Sequence, residues 1–396
     1  MVNKGTLTSS RASTLQAIDD RVLAYVHRVP PGLYTESGRD RSTYSVLFRA
    51  HLLHALGTES AEIRRMVGDL AVGQAPDGFL EVSEPVAGDV HDATYLRLHK
   101  SALFFQLADA YNVDVRVPDV ERVFPVARLR AYLGGLDWRN IWLHSNILLG
   151  LASAVEFSVR RDGTDLYRDV LVDFVLGHAP RYGFWGEAQG ASRLNAMAGT
   201  FHLVPMLIQA GRPIPQPDGL ARAVLSLQTE SGFFCAPSGY SCIEYDAAYL
   251  LWASRPSVDR EVATQIVRSA ERLFDAMVRL QNSDGGFPEM GRPAGMGSAL
   301  ASSLSSWRRH GDPATLFWHL KKVARLYLQP KRPFLNNSTV VCAALPYESN
   351  LFSSWLRYLT CCLAADLAGI RPFDIDRACR IVGLNYGGRP SREAPA

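Results

Sequence analysis

Three short stretches carry the side chains best suited to moving protons. Asp89-Val90-His91-Asp92-Ala93 places two carboxyls and an imidazole within four residues at a helix start. Cys242-Ile243-Glu244-Tyr245-Asp246-Ala247 repeats the ending, since Asp92-Ala93-x-Tyr95-Leu96 recurs as Asp246-Ala247-x-Tyr249-Leu250. Asp89, His91, Asp92, Glu244 and Asp246 are therefore the candidate acids and bases, because a general acid or base is a titratable group held beside the reacting atom. Asp before Ala is also a good helix N-cap, so Asp92 and Asp246 fit a capping role equally well. His99 lies seven residues past Asp92, on one helical face with it and Tyr95. The segment Leu136 to Asn146 adds Trp138, Trp142, His144 and Asn146. Trp185, Glu187 and His202 follow further on. These carboxylates, imidazoles and aromatics would suit acid–base chemistry if the fold brought them around one cavity.

A repeated phrase sets how they are positioned. Gln74-Ala75-Pro76-Asp77-Gly78-Phe79-Leu80, Gln228-Thr229-Glu230-Ser231-Gly232-Phe233-Phe234 and Gln281-Asn282-Ser283-Asp284-Gly285-Gly286-Phe287 share a Gln, three residues, a Gly and apolar residues after it. A looser copy runs from His178 to Trp185. In each, the Gln ends an amphipathic helix, the Gly accepts the backbone angles of the turn, and the aromatic packs back under the helix end. A period this long with a turn at its centre marks a repeat architecture. Periodicity predicts roughly a dozen to fourteen helices, including Thr14–Val29, Ser42–Leu56, Pro118–Leu133, Ala191–Gln209 and Asp246–Ser254, and no strands.

The phrase resembles the Gln-x-x-x-Gly-x-Trp repeat of terpenoid cyclases and the related prenyltransferase toroids, with Leu80, Phe234 and Phe287 where that family prefers Trp. The resemblance covers Gln74 to about Trp307. It implies an all-α fold, an α/α toroid of about six to seven helix hairpins in a double ring. Asp89-Val90-His91-Asp92 is similar to the Asp-x-Asp-Asp motif of class II terpene cyclases, whose middle Asp protonates an alkene or epoxide. His91 stands at that position here, so the motif is degenerate.

The chain of 396 residues is 47% hydrophobic, enough for one large core, and its net charge of +3 is nearly balanced. We expect a single toroid domain over residues 11–386, with disordered ends at 1–10 and 387–396. No basic run is interleaved with aromatics, which argues against a nucleic-acid partner. Residues 1–13 lack an apolar signal core, and no apolar run reaches the ~18 residues of a membrane span. Six cysteines in so long a chain do not make a disulfide framework, so a cytoplasmic location is expected. Peripheral membrane contact and oligomeric state stay open. No cofactor is expected, since there is no phosphate-cradling Gly loop, nucleotide fingerprint or Asp-Asp-x-x-Asp run. No metal is expected either: the resemblance to protein prenyltransferases, which hold zinc with an Asp, a Cys and a later His, would point to Cys242 with His310 or His319, but that family's Asp-x-Cys order is absent.

The expected activity is acid/base-driven cyclisation or rearrangement of an apolar, isoprenoid-type small molecule. Tyr95, His99, Trp138, Trp142, His144, Asn146, Trp185, Glu187 and His202 would bind the substrate. A carbohydrate-active toroid (lyase, epimerase or hydrolase) and a non-catalytic toroid that grips a lipid or peptide are the alternatives, because fold does not fix function.

Overall fold

The computed structural model describes residues 4–38, 41–82, 93–162, 166–292, 295–330, 334–335 and 342–374. Asp89, His91 and Asp92, and the segment 387–396, lie outside the described residues. The described chain is helical, as expected. Fifteen helices are joined by loops, and a two-residue antiparallel ladder pairs Phe334 with Ala344 and Leu335 with Ala343.

Six helices form an inner ring: α2 (Thr43–Leu56), α4 (Ala93–Ala110), α7 (Ile141–Asp162), α9 (Arg193–Gln209), α11 (Ser241–Ser254) and α15 (Leu351–Leu367). Each packs on the next, and α15 packs back on α2, so the ring closes. Around it lie α1 (Lys4–Arg28), α3 (Ser60–Ala71), α5 (Val120–Val123), α6 (Val126–Gly134), α8 (Leu166–Gly177), α10 (Pro217–Leu227) and α12 (Arg260–Leu280). Among these outer helices, α1 packs on α2 and α15, α3 on α2 and α4, α8 on α7 and α9, α10 on α11, and α12 on α15. The double ring of hairpins is thus present. The remaining pair, α13 (Met296–His310) and α14 (Pro313–Leu328), is an inserted hairpin between α12 and α15.

The sequence shows why the two layers differ. Every α11 residue from Ile243 to Leu251 is buried, and so is every α15 residue from Ser353 to Ala365. A helix apolar all round belongs inside, whereas α12 confines its buried residues to one stripe, Val262, Ile266, Ser269, Ala270, Leu273 and Phe274. Because each chain passage runs out along an outer helix and back along an inner one, the inner helices all begin at one end, here called the mouth. Contacts between helix starts confirm this. The Tyr44 hydroxyl donates to the Leu96 carbonyl at 3.2 Å, and the Trp142 amide donates to Asn195 Oδ1 at 3.2 Å.

The repeated phrase is a staple. Gln228 Nε2 donates to the Gly232 carbonyl at 2.8 Å and to the Ser269 carbonyl at 2.9 Å. Gln281 Nε2 donates to the Gly285 carbonyl at 2.8 Å, and Gln74 makes the matching bond to Gly78. The amide two residues after each Gly is then tied to a side chain on the next inner helix. Leu80 N donates to Ser101 Oγ (2.9 Å), Trp185 N to Thr200 Oγ1 (3.0 Å), Phe234 N to Glu244 Oε2 (2.8 Å) and Phe287 N to Ser354 Oγ (2.9 Å). Four loops, the loose copy included, therefore share one construction.

Gly232 shows why the Gly is required. Its φ is +96°, and an added Cβ would sit 2.6 Å from the Arg272 carbonyl oxygen. Gly232→Ala is expected to destabilise the fold by about 2 kcal/mol or more, read as a lower denaturation midpoint in urea.

Several boundaries differ from the sequence expectation. Helix α1 starts at Lys4, within the stretch 1–10 expected to be disordered and ten residues before Thr14. Pro125, which has no amide hydrogen, splits 118–133 into α5 and α6. Most consequential, α11 begins at Ser241 rather than Asp246.

Candidate active site

The four loop anchors give the rotation of each inner helix. Ser101, Thr200, Glu244 and Ser354 face outward, toward the loops arriving from the outer ring. At 100° per residue, positions two before and two after an anchor point the opposite way, into the ring. On α11 those are Cys242 and Asp246; on α9, Ala198 and His202; on α4, His99 and Leu103; on α15, Phe352 and Leu356. On α7, His144 faces outward, its Nδ1 3.1 Å from the Tyr132 hydroxyl on α6, so Trp142 and Asn146 face inward. Residual exposure supports this phase. Cys242, Phe352 and His99 are half-buried between fully buried neighbours, while Trp142 and Asn146 are half-buried like Leu143 and His144 beside them. Those half-buried side chains border the space inside the ring.

Electrostatics crosses that space. Burial, and then Cys242 on α11 at the far side of the ring, raise the Tyr95 phenol above its ordinary value. His202 is lowered to about 3, first by burial and then by His99 on α4, so its imidazole is neutral. His202 Nδ1 lies 2.8 Å from the Ser145 hydroxyl. His99 Nδ1 is 3.2 Å from the Tyr44 hydroxyl, and its ring stacks on Tyr95 at 5.5 Å.

Asp246 is the central finding. Because α11 begins five residues earlier, Asp246 sits in the second turn, where no free helix-end amides exist for it to cap. The capping role is thereby corrected. The carboxyl is only 3% exposed, and its Oδ2 has no hydrogen-bond partner among the described residues. Burial, and then the neighbouring Glu244, push it well above the usual carboxylate range, which favours its protonated form. Tyr245 and Tyr249 flank it on α11, and both meet the Phe201 ring edge-on, at 5.5 and 5.3 Å.

Glu244 does something else. Both its oxygens accept backbone amides, from Phe234 at 2.8 Å and Cys235 at 3.1 Å. It occupies the slot that hydroxyls fill at Ser101, Thr200 and Ser354, which makes it a loop anchor and an electrostatic neighbour of Asp246. Burial lifts it to about 7 despite the opposing pull of Arg357 and the two amides. A carboxyl raised from 4.5 to about 7 binds its proton more tightly in the folded state. Its stabilising contribution is whole below pH 4.5 and is lost as pH rises to about 7, some ~3 kcal/mol in all. Melts from pH 4.5 to 7.5 should show this decline, and Glu244→Gln should remove it.

The other sequence candidates lie apart from the ring interior. Trp138 stacks on Phe174 and His178 of the outer layer, at 5.7 and 5.0 Å. The Trp185 indole donates to the Val175 carbonyl at 3.0 Å, a wedge between layers. Glu187 pairs with Arg193 at 3.3 Å. The ring thus assembles His99, Trp142, Asn146, His202 and Asp246, with Tyr95 stacked beside His99, and leaves Trp138, His144, Trp185, Glu187 and Glu244 outside. Among the described residues no cluster of three or more His, Cys, Asp or Glu is placed to hold a metal, and no helix is long and apolar enough to cross a membrane.

Sequence reasoning missed the charged groups behind α11. Glu289 accepts hydrogen bonds from the hydroxyls of Ser241 (2.8 Å) and Ser353, at the starts of α11 and α15. Arg357, fully buried on α15, donates to the Glu289 carbonyl at 2.8 Å. Lys322 of α14 donates to Cys235 Sγ at 3.2 Å and lies over the rings of Trp318 and Tyr240, at 3.6 and 3.9 Å.

Among solved structures, the chain is similar to the type II terpene cyclase MstE from Scytonema. The apo form is 15% identical with a TM-score of 0.42, covering 70% of this chain and 81% of that one. A variant in complex with its product, merosterolic acid A, is 14% identical with a TM-score of 0.46, covering 91% and 99%. A variant in complex with its substrate, geranylgeranyl dihydroxybenzoate, is 12% identical with a TM-score of 0.44, covering 92% and 99%. No protein-family description and no curated protein sequence matches the chain. The ring described here rests on the chain's own helix contacts.

Proposed function

We propose that this chain is a cyclase or isomerase that takes an apolar, isoprenoid-type molecule into its ring and starts the reaction by protonating an alkene from Asp246. The observation that carries the reading is Asp246 itself: a buried carboxyl on the inward side of the ring, raised above the usual range, whose Oδ2 has no hydrogen-bond partner among the described residues. Giving up its proton would leave a carboxylate against the new carbocation, and the two attract strongly where water is excluded. Trp142 and Phe352 offer aromatic faces to the same cation. His202, neutral on the neighbouring helix α9, is the base that removes the final proton. Asp89, His91 and Asp92 directly precede α4, which supplies Tyr95 and His99; their share in proton transfer belongs to this proposal on the strength of their sequence.

The test is a thermal-shift screen of the purified chain against polyprenyl alcohols, prenylated phenols and oligosaccharides, followed by product analysis of the hits. The reading expects stabilisation and conversion by isoprenoids. Stabilisation and turnover confined to sugars would overturn it in favour of a carbohydrate enzyme.

A further inference from the structure

We propose that the inserted α13–α14 hairpin is a docking surface for a bilayer containing anionic lipid, and that it holds the mouth of the ring against that bilayer. Eight large hydrophobic side chains are well exposed among the described residues, and five of them belong to this hairpin: Met296, Leu304, Trp307, Phe317 and Leu328. Phe317 is 60% and Leu328 75% exposed. Beyond its first turn, the exposed positions of α14 form one stripe, Phe317, Lys321, Ala324 and Leu328, at spacings of three and four. A soluble face would be polar there.

Charge selects the occupant. The exposed charges of residues 296–330 are Arg308, Arg309 and Lys321, and the single acid of the segment is Asp312. That acid is turned inward, accepting the Arg193 amide at 2.8 Å and capping α14 through the amides of Ala314 and Thr315. Lys321 extends over the Phe317 ring, its ammonium 4.4 Å from the centroid. Apolar side chains beside cations match a surface whose interior is apolar and whose headgroups are negative, with the long basic side chains reaching back to the headgroups.

Position gives the surface its use. The hairpin is tied to the mouth at three places. Asp312 binds the start of α9, Arg309 donates to the Gln228 carbonyl at 3.0 Å, and Lys322 reaches Cys235 in the loop before α11. A molecule dissolved in the bilayer would thus leave it next to the ring's opening; this last step, unlike the docking itself, rests on the proposed isoprenoid chemistry.

The experiment is vesicle flotation of the full chain without substrate, on phosphatidylcholine alone and on phosphatidylcholine mixed with phosphatidylglycerol. Wild type should float with the mixed vesicles and detach in high salt. Phe317→Ser with Leu328→Ser, and separately Arg308→Glu with Lys321→Glu, should each weaken binding about tenfold or more; all four residues are exposed, so the fold should survive, as circular dichroism would verify. No flotation, or flotation unchanged in both variants, overturns the proposal. So does a wild-type dimer that the Phe317 and Leu328 changes dissociate, because a second copy would then cover the face. Vesicle binding without isoprenoid turnover would keep the docking surface and sink the functional reading. Turnover in detergent by a chain that never floats would do the reverse.

Discussion

Replacing Asp246 by asparagine is expected to lower turnover of an isoprenoid substrate by about 10²- to 10⁴-fold, the range a positioned general acid contributes. Asparagine has nearly the same shape and also carries hydrogens on its terminal group. It cannot release one to carbon, because an amide is far too weak an acid. The change introduces no buried charge, and burial with Glu244 nearby already favours the neutral form of the Asp246 carboxyl. The melting temperature should therefore move little, and substrate binding in the thermal-shift assay should persist. Loss of both folding and activity would point to a structural role for Asp246. Full activity with an intact fold would remove it from the mechanism. The acid must be protonated to act, so wild-type activity should also decline on the alkaline side of its profile. His202→Phe, by contrast, removes the neutral base and is expected to change which alkene isomer is released.

The second large effect is on stability. Arg357→Met is expected to destabilise the fold by about 3–5 kcal/mol, the cost of leaving buried charge without its partner. Arg357 is fully buried on α15, and the charges of Glu244 and Glu289 partly offset the lowering that burial imposes on it. Its guanidinium donates to the Glu289 carbonyl and lies over the Phe233 ring at 5.8 Å. Methionine would fill much of the volume while removing the countercharge and the donor. Denaturation in urea measures the loss. Adding Glu289→Gln to Arg357→Met should recover part of it, because one orphaned carboxylate is then gone. A single variant as stable as wild type would mean the carboxylates are already neutralised by their hydroxyl and amide partners.

Much of this architecture is legible in the sequence, for a local reason. The Gln and Gly of each phrase are four residues apart, so the bond from Gln228 to Gly232 closes within one turn of chain and leaves a spacing that can be read. The same locality explains the misreadings. Asp246-Ala247 looks like a helix start because capping is a local pattern, yet the helix already begins at Ser241. A carboxyl that looks like a cap is in fact interior, and that difference turns Asp246 from a structural residue into the candidate acid. Glu244 and Asp246 are two residues apart and nearly opposite on the helix. Only the bonds from Phe234 and Cys235 show which of them faces out.

Arg357, Glu289 and Lys322 leave no such signature. Lys322 meets Cys235 across 87 residues, and Arg357 meets Glu289 across 68. Each sits in a helix or loop whose local pattern reads as ordinary core or surface. Likewise Trp138, His144 and Trp185 carry suitable chemistry, yet the rotation of α7 turns His144 to the outer layer, and Trp138 and Trp185, which precede the inner helices, pack there too.

The most direct test of the central claim is turnover of a linear polyprenyl substrate in deuterium oxide, with product mass and deuterium position read by mass spectrometry and NMR. Protonation of an alkene from a solvent-exchanged Asp246 predicts a cyclised or isomerised product carrying one deuterium at the carbon where the reaction begins, and no such product from Asp246→Asn. A product formed without deuterium at that carbon, or formed equally by the variant, would contradict it.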